Sequence, residues 1–293
     1  MHKLSFHEEI VRNKRKSLLL TFFVFIILVS IIYFIGYILN PAMSSFFFIF
    51  ALFFTFIYVY SSWKYGDKII LAATNAKPAE GSKYLQLNNI VEELSIAAGI
   101  PKPKVYIIES EEMNAFATGR DPQNSSIAIT TGLLKKLNRD ELSGVIGHEI
   151  SHICNYDIRF SMIVAVMVGL VAILSDMFLR SFRFSKDDDK KSGILILIGL
   201  ILAIIAPIVV RLVQLAISRK REYLADSSSA KLTRYPEGLA SALEKIKNNN
   251  RGDMKVSEAI SHLFFADPKR SNLDNLFATH PPIEERIKRL RSM

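Results

Sequence analysis

The sequence predicts a mostly α integral membrane protein with two to four transmembrane helices and a small β-sheet. Half of its 293 residues are hydrophobic, and its mean hydropathy of +0.23 is high for a soluble protein. Long uncharged runs hold much of this apolar content, whereas residues 64–157 mix helical and strand-like periodicities with turns. The composition excludes a disordered or collagen-like chain. A single cysteine, Cys154, excludes a disulfide-stapled module and a cysteine-rich zinc ribbon.

The first 63 residues predict a transmembrane hairpin. Residues 18–39 are uncharged and as a helix would reach about 33 Å, enough for the ~30 Å hydrocarbon layer and too long for a cleaved signal peptide. Residues 40–63 are also uncharged, and Asn40-Pro41 marks a turn between the two runs. By the positive-inside rule, both ends of the hairpin (18–63) lie in the cytosol, behind a basic N-terminus of residues 1–17. The flanking basic residues are Lys3, Arg12, Lys14, Arg15, Lys16, Lys64 and Lys68.

Two later apolar runs predict a second membrane hairpin within residues 158–217. Residues 160–175 and 192–210 are uncharged. Each run could cross the membrane if the bilayer thins locally or the helix tilts. The loop between them, residues 180–191, is rich in Lys and Arg and would lie outside the cell if both runs cross. A hairpin that enters the membrane without crossing it therefore remains open as an alternative.

The remaining residues predict a catalytic domain in two parts, residues 64–157 and 218–293. In the first part, a helical period is followed by β-like runs and then by a helix that opens with a capping box at Asn138 and Glu141. The predicted helices are 85–99, the helix that begins at Asn138, a charged helix through 219–226, 233–247 and 283–291. The predicted strands are 104–109, 115–118 and 126–131, and residues 247–255 form a loop.

The helix that begins at Asn138 carries a His-Glu-x-x-His motif, His148-Glu149-Ile150-Ser151-His152. The two histidines are one turn apart and can bind one Zn²⁺ through neutral imidazole nitrogens. Glu149 can take a proton from a zinc-activated water, which is the general-base role in attack on a peptide carbonyl. Glu149 also falls on the apolar stripe of the helix, where a carboxylate without a partner would be costly. The motif predicts one catalytic zinc per chain.

A third protein ligand must complete such a site. Asn155 and Ile158 stand where the extended signature with a third histidine requires glycine and histidine, so that subclass is excluded. Asp157 lies about 140° round the helix from His152 and points away if the helix continues.

Glu222 is the better candidate for the third ligand, with Asp226 one turn later on the same face. Asp226 can then accept a hydrogen bond from the distal ring N–H of a ligand histidine. The alternative is that both are surface acids paired with neighbouring arginines. Because the histidines precede the third apolar run and Glu222 follows the fourth, the two runs cross twice or not at all. With Lys64 and Lys68 in the cytosol, this places the zinc on the cytosolic face near the bilayer.

With these residues the chain resembles the HtpX family of bacterial membrane zinc metallopeptidases and, more distantly, the CAAX prenyl endopeptidases. The resemblance covers nearly the whole chain, and only the charged loop at 180–191 departs from it. Its motifs occur in the family's order: the basic N-terminus and paired anchor, Asn114-Ala115-Phe116-Ala117-Thr118-Gly119, the His-Glu-x-x-His helix, two further membrane runs, Arg221-Glu222-Tyr223-Leu224-Ala225-Asp226, and Thr279-His280-Pro281-Pro282 with Arg286.

The resemblance implies roles for several residues. Glu222 is the third zinc ligand of a gluzincin-like helical metallopeptidase domain. Asn114 and Ala115 belong to a strand that binds an extended substrate by β-augmentation, although Asn114 could equally be a turn residue. His280 closes over the site and stabilises the oxyanion, or else it is a packing histidine.

The predicted protein is a multi-pass zinc endopeptidase of the bacterial plasma membrane whose active site faces the cytoplasm. The resemblance implies cleavage of misfolded or damaged membrane proteins under stress, so its partners are polypeptides and the lipid bilayer, with no nucleic acid. Two alternatives stay open: a CAAX-type prenyl-protein endopeptidase, and a non-enzymatic membrane protein with a structural metal. The sequence is silent on the oligomeric state.

Overall fold

The computed structural model describes residues 6–184, 199, 218–254, 256–268 and 281–293, and it has the predicted architecture of many helices around a small sheet. Over these residues the helices are α1 (Phe6–Leu39), α2 (Ser44–Ala73), α3 (Leu85–Ala98), α4 (Thr131–Lys136), α5 (Arg139–Cys154), α6 (Asp157–Phe184), α7 (Arg219–Thr233), α8 (Pro236–Asn249), α9 (Glu258–Ser261) and α10 (Ile283–Leu290). The strands are β1 (Lys77–Pro78), β2 (Lys104–Ile108), β3 (Ala115–Asp121) and β4 (Asn124–Thr130).

Helices α1 and α2 form the predicted hairpin and are long and apolar enough to cross a membrane, over Ile10–Phe34 and Pro41–Ala73. A 3₁₀ turn, Pro41–Met43, joins them, and the Asn40 side chain accepts a hydrogen bond from the Ala42 N–H at 3.1 Å. Many phenylalanine, leucine and isoleucine side chains on both helices are exposed. In a soluble protein such a surface would be an aggregation hazard, whereas lipid covers it in a bilayer.

Helix α6 begins after a sharp bend and packs along the hairpin. Its axis lies at 85° to that of α5, and Tyr156 between them has a φ of +59°. Phe160 and Val164 of α6 pack on Leu20 and Val24 of α1. Within the described residues, length and composition allow a third membrane span only if α5 and the first half of α6 are counted as one bent span. The predicted run at 192–210 lies outside the described residues.

The sheet has the strand order β1-β2-β4-β3, so β3 is an edge strand. β2 and β4 are parallel, whereas β1 with β2 and β3 with β4 are antiparallel. β3 runs to Asp121, three residues beyond its predicted end, because it turns directly into β4. β1 was not predicted, since two exposed residues carry no periodicity.

The sheet separates two apolar layers. One face packs on a core formed with α3, α5 and α8, to which the sheet contributes Ala115, Ala117, Ile127 and Ile129. The opposite face packs on the ends of α2 and α6 and on α9, and Phe116 meets Phe264 there at 5.0 Å between ring centroids. The alternation of side chains along β3 and β4 thus places the ends of the membrane helices and the soluble core on opposite faces of the same strands.

Helix α5 lies very close to α7 and α8 because two of its residues are glycines. A Cβ on Gly144 would lie 2.7 Å from the Leu239 backbone nitrogen of α8, and one on Gly147 would lie 2.8 Å from Ser229 Oγ of α7. Ser229 Oγ also donates a hydrogen bond to the Gly144 carbonyl at 2.6 Å. The predicted helix at 233–247 begins later, at Pro236, because Arg234 adopts a φ of +53° and ends α7.

Candidate metal centre

The His-Glu-x-x-His motif lies on the buried helix α5, which has the predicted capping box. Asn138 Oδ1 accepts from the Glu141 N–H at 2.9 Å, and Glu141 Oε2 accepts from the Asn138 N–H at 2.8 Å. One turn separates His148 from His152, and their Nε2 atoms are 3.1 Å apart. The relative position of the two histidines is therefore set by a single helix.

Glu222 on α7 supplies a third group beside the two imidazoles. Its Oε2 lies 3.5 Å from His148 Nε2, and its Oε1 lies 3.5 Å from His152 Nε2. Two ligands at about 2.05 Å from a tetrahedral zinc are roughly 3.3 Å apart. The observed spacings agree with this value, and among the described residues these three side chains form the only group of histidine, cysteine and acidic residues close enough to hold a metal.

Each histidine turns its other ring nitrogen to a carboxylate. His148 Nδ1 lies 2.9 Å from Asp226 Oδ1, and His152 Nδ1 lies 3.0 Å from Asp157 Oδ2. A carboxylate accepts hydrogen bonds, so each Nδ1 carries a proton, and in the neutral form of each imidazole Nε2 presents its lone pair to the space beside Glu222. This tautomer is the one that a metal at that point requires.

The expected orientation of Asp157 was wrong. That orientation requires the helix to continue past His152. Instead, α5 ends at Cys154, and the chain bends by 85° before Asp157 begins α6. The bend swings the carboxylate back onto His152, where Arg221 Nη1 also lies 3.4 Å from Asp157 Oδ1. The positive φ of Tyr156 marks this bend, and nothing in the helical periodicity signals it.

Arg286 is a site residue to which the sequence analysis gave no role. Its guanidinium is 1% exposed and donates to both oxygens of Asp226, from Nε to Oδ2 at 2.9 Å and from Nη2 to Oδ1 at 2.7 Å. It also lies 4.8 Å from the centroid of the Phe265 ring. Helix α10 is strongly amphipathic, and an arginine on its apolar face was the available signal.

The carboxylates and imidazoles hold one another in defined charge states. Burial raises the pKa of Asp226, but the charge of Arg286 and the hydrogen bonds from His148 and Arg286 outweigh it and lower the pKa to about 2. For the side chains alone, burial lowers the pKa of His148, but hydrogen bonds to Asp226 and Glu222 raise it to about 9. A metal at Nε2 must therefore compete with a proton.

Glu149 is buried beside the two histidines at 2% exposure, as its place on the apolar stripe predicts. Burial raises its pKa, the neighbouring imidazoles oppose the rise, and a backbone hydrogen bond from Ala117 of β3 also opposes it. Ala117 and the helix α5 side chains line the same open cleft as Ile158 and residues 263–265. The cleft thus places a carboxylate, the three potential ligands and an edge strand side by side.

Asn114 and Ala115 do not line this cleft. Asn114 is 0% exposed, donates from Nδ2 to the Ala266 carbonyl at 2.8 Å and accepts from the Ala266 N–H at 3.0 Å. The Ala115 carbonyl accepts from the Phe265 N–H at 2.8 Å. Both residues hold the segment around Phe265 against the sheet, and Ala117 is the β3 residue that reaches the cleft. His280 lies outside the described residues.

A His-Glu-x-x-His helix completed by a carboxylate from a later helix, beside two membrane-length apolar helices, defines a membrane metallopeptidase. The chain belongs to peptidase family M48, whose profile matches residues 82–293. It is 47% identical to the protease HtpX homolog of Caldanaerobacter subterraneus subsp. tengcongensis over 300 residues, 100% of this chain and 99% of the relative.

Other relatives agree with this assignment. The protease HtpX homolog of Dictyoglomus turgidum is 48% identical over 100% of this chain and 96% of the relative. The protease HtpX homolog of Streptococcus uberis is 42% identical over 98% of this chain and 99% of the relative. The crystal structure of S. mikatae Ste24p aligns with 87% of this chain and 62% of that protein, at 21% identity and a TM-score of 0.49. The family assignment rests on the sequence matches alone. As a member of a peptidase family, the protein acts on polypeptide substrates.

Proposed function

We propose that the protein is a zinc-dependent endopeptidase in which His148, His152 and Glu222 bind the metal. The observation that carries this proposal is the spacing of 3.1 to 3.5 Å between their ligand atoms. The donor set fits zinc, since two neutral imidazoles and one carboxylate are ligands that catalytic zinc sites combine with an open fourth position. When bound, Zn²⁺ supplies a Lewis acid that polarises the scissile carbonyl and acidifies water.

In this proposal Glu149 is the general base. Its carboxylate lies next to both histidines and accepts the proton of the attacking water, which it then returns to the leaving amine. Its burial excludes bulk water, so that proton has few competing acceptors. Asp226 and Asp157 hold the two imidazoles in the ligand tautomer throughout.

The edge of β3 that faces away from β4 supports binding of an extended peptide beyond Ala115. The Ala115 carbonyl points to that edge and accepts from Phe265, so in an antiparallel pair the backbone groups of Ala117 and Gly119 face the same edge, where the Ala117 backbone hydrogen-bonds Glu149. A peptide added at Ala117 would lie beside Glu149. This revises the predicted contact at Asn114 and Ala115 to residues further along the strand. The predicted oxyanion role of His280 remains part of the proposal.

We place the active site on the cytoplasmic side of the bacterial plasma membrane. The centre lies at the end of the hairpin that carries the basic residues. Asn13 of α1 contacts Asp157, and the Arg120 guanidinium lies 4.5 Å from the Trp63 ring of α2. The positive-inside rule assigns that end to the cytosol, and tryptophan is enriched at the membrane interface. The domain organisation predicted from the sequence, with a catalytic domain divided by membrane segments, fits the packing of α5 on α7 and α8.

The proposed substrates are misfolded or damaged membrane proteins. Support comes from the position of the cleft at the membrane end of the domain and from its apolar wall of Ile158, Leu263 and Phe264. A protein degraded there need only expose a cytosolic loop in extended form. No described contact favours the CAAX-type alternative, and a farnesylated CAAX peptide in the same assay tests it directly.

Two variants test the zinc and base assignments. In detergent, Glu149→Gln is expected to retain zinc and to lose about 100- to 10,000-fold in kcat on an unfolded protein substrate. Glu222→Ala is expected to lose zinc, measured by elemental analysis after dialysis. Glu93→Gln is a matched control, because Glu93 is an exposed carboxylate whose ion-pair partner among the described residues is Arg139. Unchanged zinc content in Glu222→Ala, or full activity in Glu149→Gln, would return these residues to structural roles. Chelation with zinc add-back completes the test.

A further inference from the structure

A buried asparagine in the first membrane helix reaches the bend that carries the metal centre. Asn13 lies near the start of α1 and is 7% exposed. Its Nδ2 donates to the Asn155 carbonyl at 2.9 Å and to Asp157 Oδ1 at 2.9 Å. Asn155 caps the C-terminal end of α5, and Asp157 begins α6. Both amide protons of Asn13 are thus used on the two sides of the 85° bend.

The contact continues to a metal ligand through one carboxylate. Asp157 Oδ1 accepts from Asn13, while Asp157 Oδ2 accepts from His152 Nδ1 at 3.0 Å. Arg221 is the other described donor to Oδ1, and at 3.4 Å it is the longer contact. Rotation of the carboxylate away from His152 would leave the buried amide of Asn13 without its acceptor, which is unfavourable. Asn13 therefore restricts the orientation of the group that orients His152.

We propose that Asn13 is a positioning residue of the zinc site, and that α1 is part of the catalytic unit as well as an anchor. The amide holds Asp157 with one oxygen turned to His152, so the first membrane helix helps to set the imidazole that binds the metal. This inference rests on the proposed zinc site. A buried side-chain amide is costly unless it is paired, and among the described residues both hydrogen bonds that the Asn13 Nδ2 group donates go to the catalytic domain.

The test measures metal binding in the full-length protein in detergent. Asn13→Leu removes the donor while it keeps the number and branching of the side-chain heavy atoms, and Asn13→Ala removes both donor and volume. Ser17→Ala is the matched control, because Ser17 is also buried, lies one turn away and, among the described residues, donates within α1 to the Asn13 carbonyl at 2.9 Å. Zinc dissociation constants are measured by chelator competition, and the visible spectrum of the Co²⁺-loaded protein reports ligand geometry.

Loss of a direct partner of a metal-bound histidine weakens metal affinity about 10- to 100-fold, so we expect Asp157→Ala in that range. For Asn13→Leu and Asn13→Ala, one step further out, we expect an increase of about 3- to 10-fold in the zinc dissociation constant and a shifted Co²⁺ band. Ser17→Ala should match the wild type. In the Asp157→Ala background, Asn13→Leu should have no further effect, because it acts through Asp157.

The outcomes separate this inference from the proposed function. If the effects of Asn13→Leu and Asp157→Ala are additive, Asn13 does not act through Asp157. If Asn13→Leu has the zinc affinity and Co²⁺ spectrum of the wild type, Asn13 only connects α1 to the catalytic domain. Either result would overturn the proposal. A larger effect in Asn13→Ala with none in Asn13→Leu would assign the role to volume alone and overturn the proposal. Wild-type protein that binds no zinc in the same assay would instead refute the zinc site itself.

Discussion

Replacing Asp226 by asparagine probes how strongly the partners of His148 support the metal. Asp226 accepts three hydrogen bonds at its two oxygens, one from His148 and two from Arg286. Asparagine keeps the shape but offers one oxygen. If that oxygen stays with His148 and Arg286 Nη2, the new NH₂ group faces the Arg286 Nε–H, and donor meets donor. The substitution therefore leaves the histidine a partner and removes the hydrogen-bonded counter-charge of a buried guanidinium, which keeps Glu222 Oε2 at 4.0 Å from Arg286 Nη1.

Two effects of Asp226→Asn follow, with different magnitudes. Breaking a buried ion pair costs about 3 to 5 kcal/mol, which should appear as a lower melting temperature of the chelated protein. Weakening a partner of a metal-bound histidine should raise the zinc dissociation constant about 10- to 100-fold. Thermal unfolding and chelator competition measure the two effects separately, with Glu93→Gln as the exposed acid-to-amide control. If a folded Asp226→Asn variant binds zinc as tightly as the wild type, Asp226 pairs with the charge of Arg286 but does not support metal binding by His148.

Two further predictions concern protons and packing. His148 has a pKa of about 9 for the side chains alone, so zinc should displace a proton at pH 7, and apparent affinity should fall as the pH is lowered. Calorimetry in buffers of different ionisation enthalpy counts that proton, and a count of zero contradicts the assignment. The same raised pKa stabilises the chelated protein below pH 6.5, and this contribution is lost as the pH rises through about 9. Gly144→Ala should lower stability by about 1 to 3 kcal/mol, because its Cβ would lie 2.7 Å from the Leu239 backbone. Gly169→Ala, whose nearest neighbour is 3.9 Å away, should be neutral or stabilising in the same thermal assay.

Elements whose ends are encoded locally could be predicted from the sequence. The α1–α2 hairpin is marked by uncharged length and Asn40-Pro41, α3 by its periodicity and Gly99, and α5 by the Asn138 capping box. The boundary at Thr233 was missed, because Arg234 adopts a left-handed conformation that is rare outside glycine. Strand β1 was missed because two residues held by β2 have no pattern of their own.

At the metal centre, the sequence could predict what depends on spacing within one helix. The four-residue step from His148 to His152 determines a shared face, and the same step links Glu222 to Asp226. The partners of these groups depend on tertiary structure instead. Asp157 reaches His152 only because the chain bends, and Arg286 reaches Asp226 only because α10 packs beside α7. Periodicity carries no information about either event.

The metal centre contains more buried acidic groups than basic groups paired with them. Glu149, Asp157, Glu222 and Asp226 are all buried, Arg221 and Arg286 form ion pairs with three of them, and the charge of Lys16 also interacts with that of Asp157. Within the ion-paired cluster alone, four carboxylates against two guanidinium groups leave a formal charge of −2 with neutral imidazoles. Burying uncompensated charge is costly, and a divalent cation at the three ligand atoms cancels this excess. The acids that orient the histidines and the proposed general base therefore also favour a cation at the three ligand atoms. The single guanidinium on α10 prevents the excess from becoming larger than such an ion can balance.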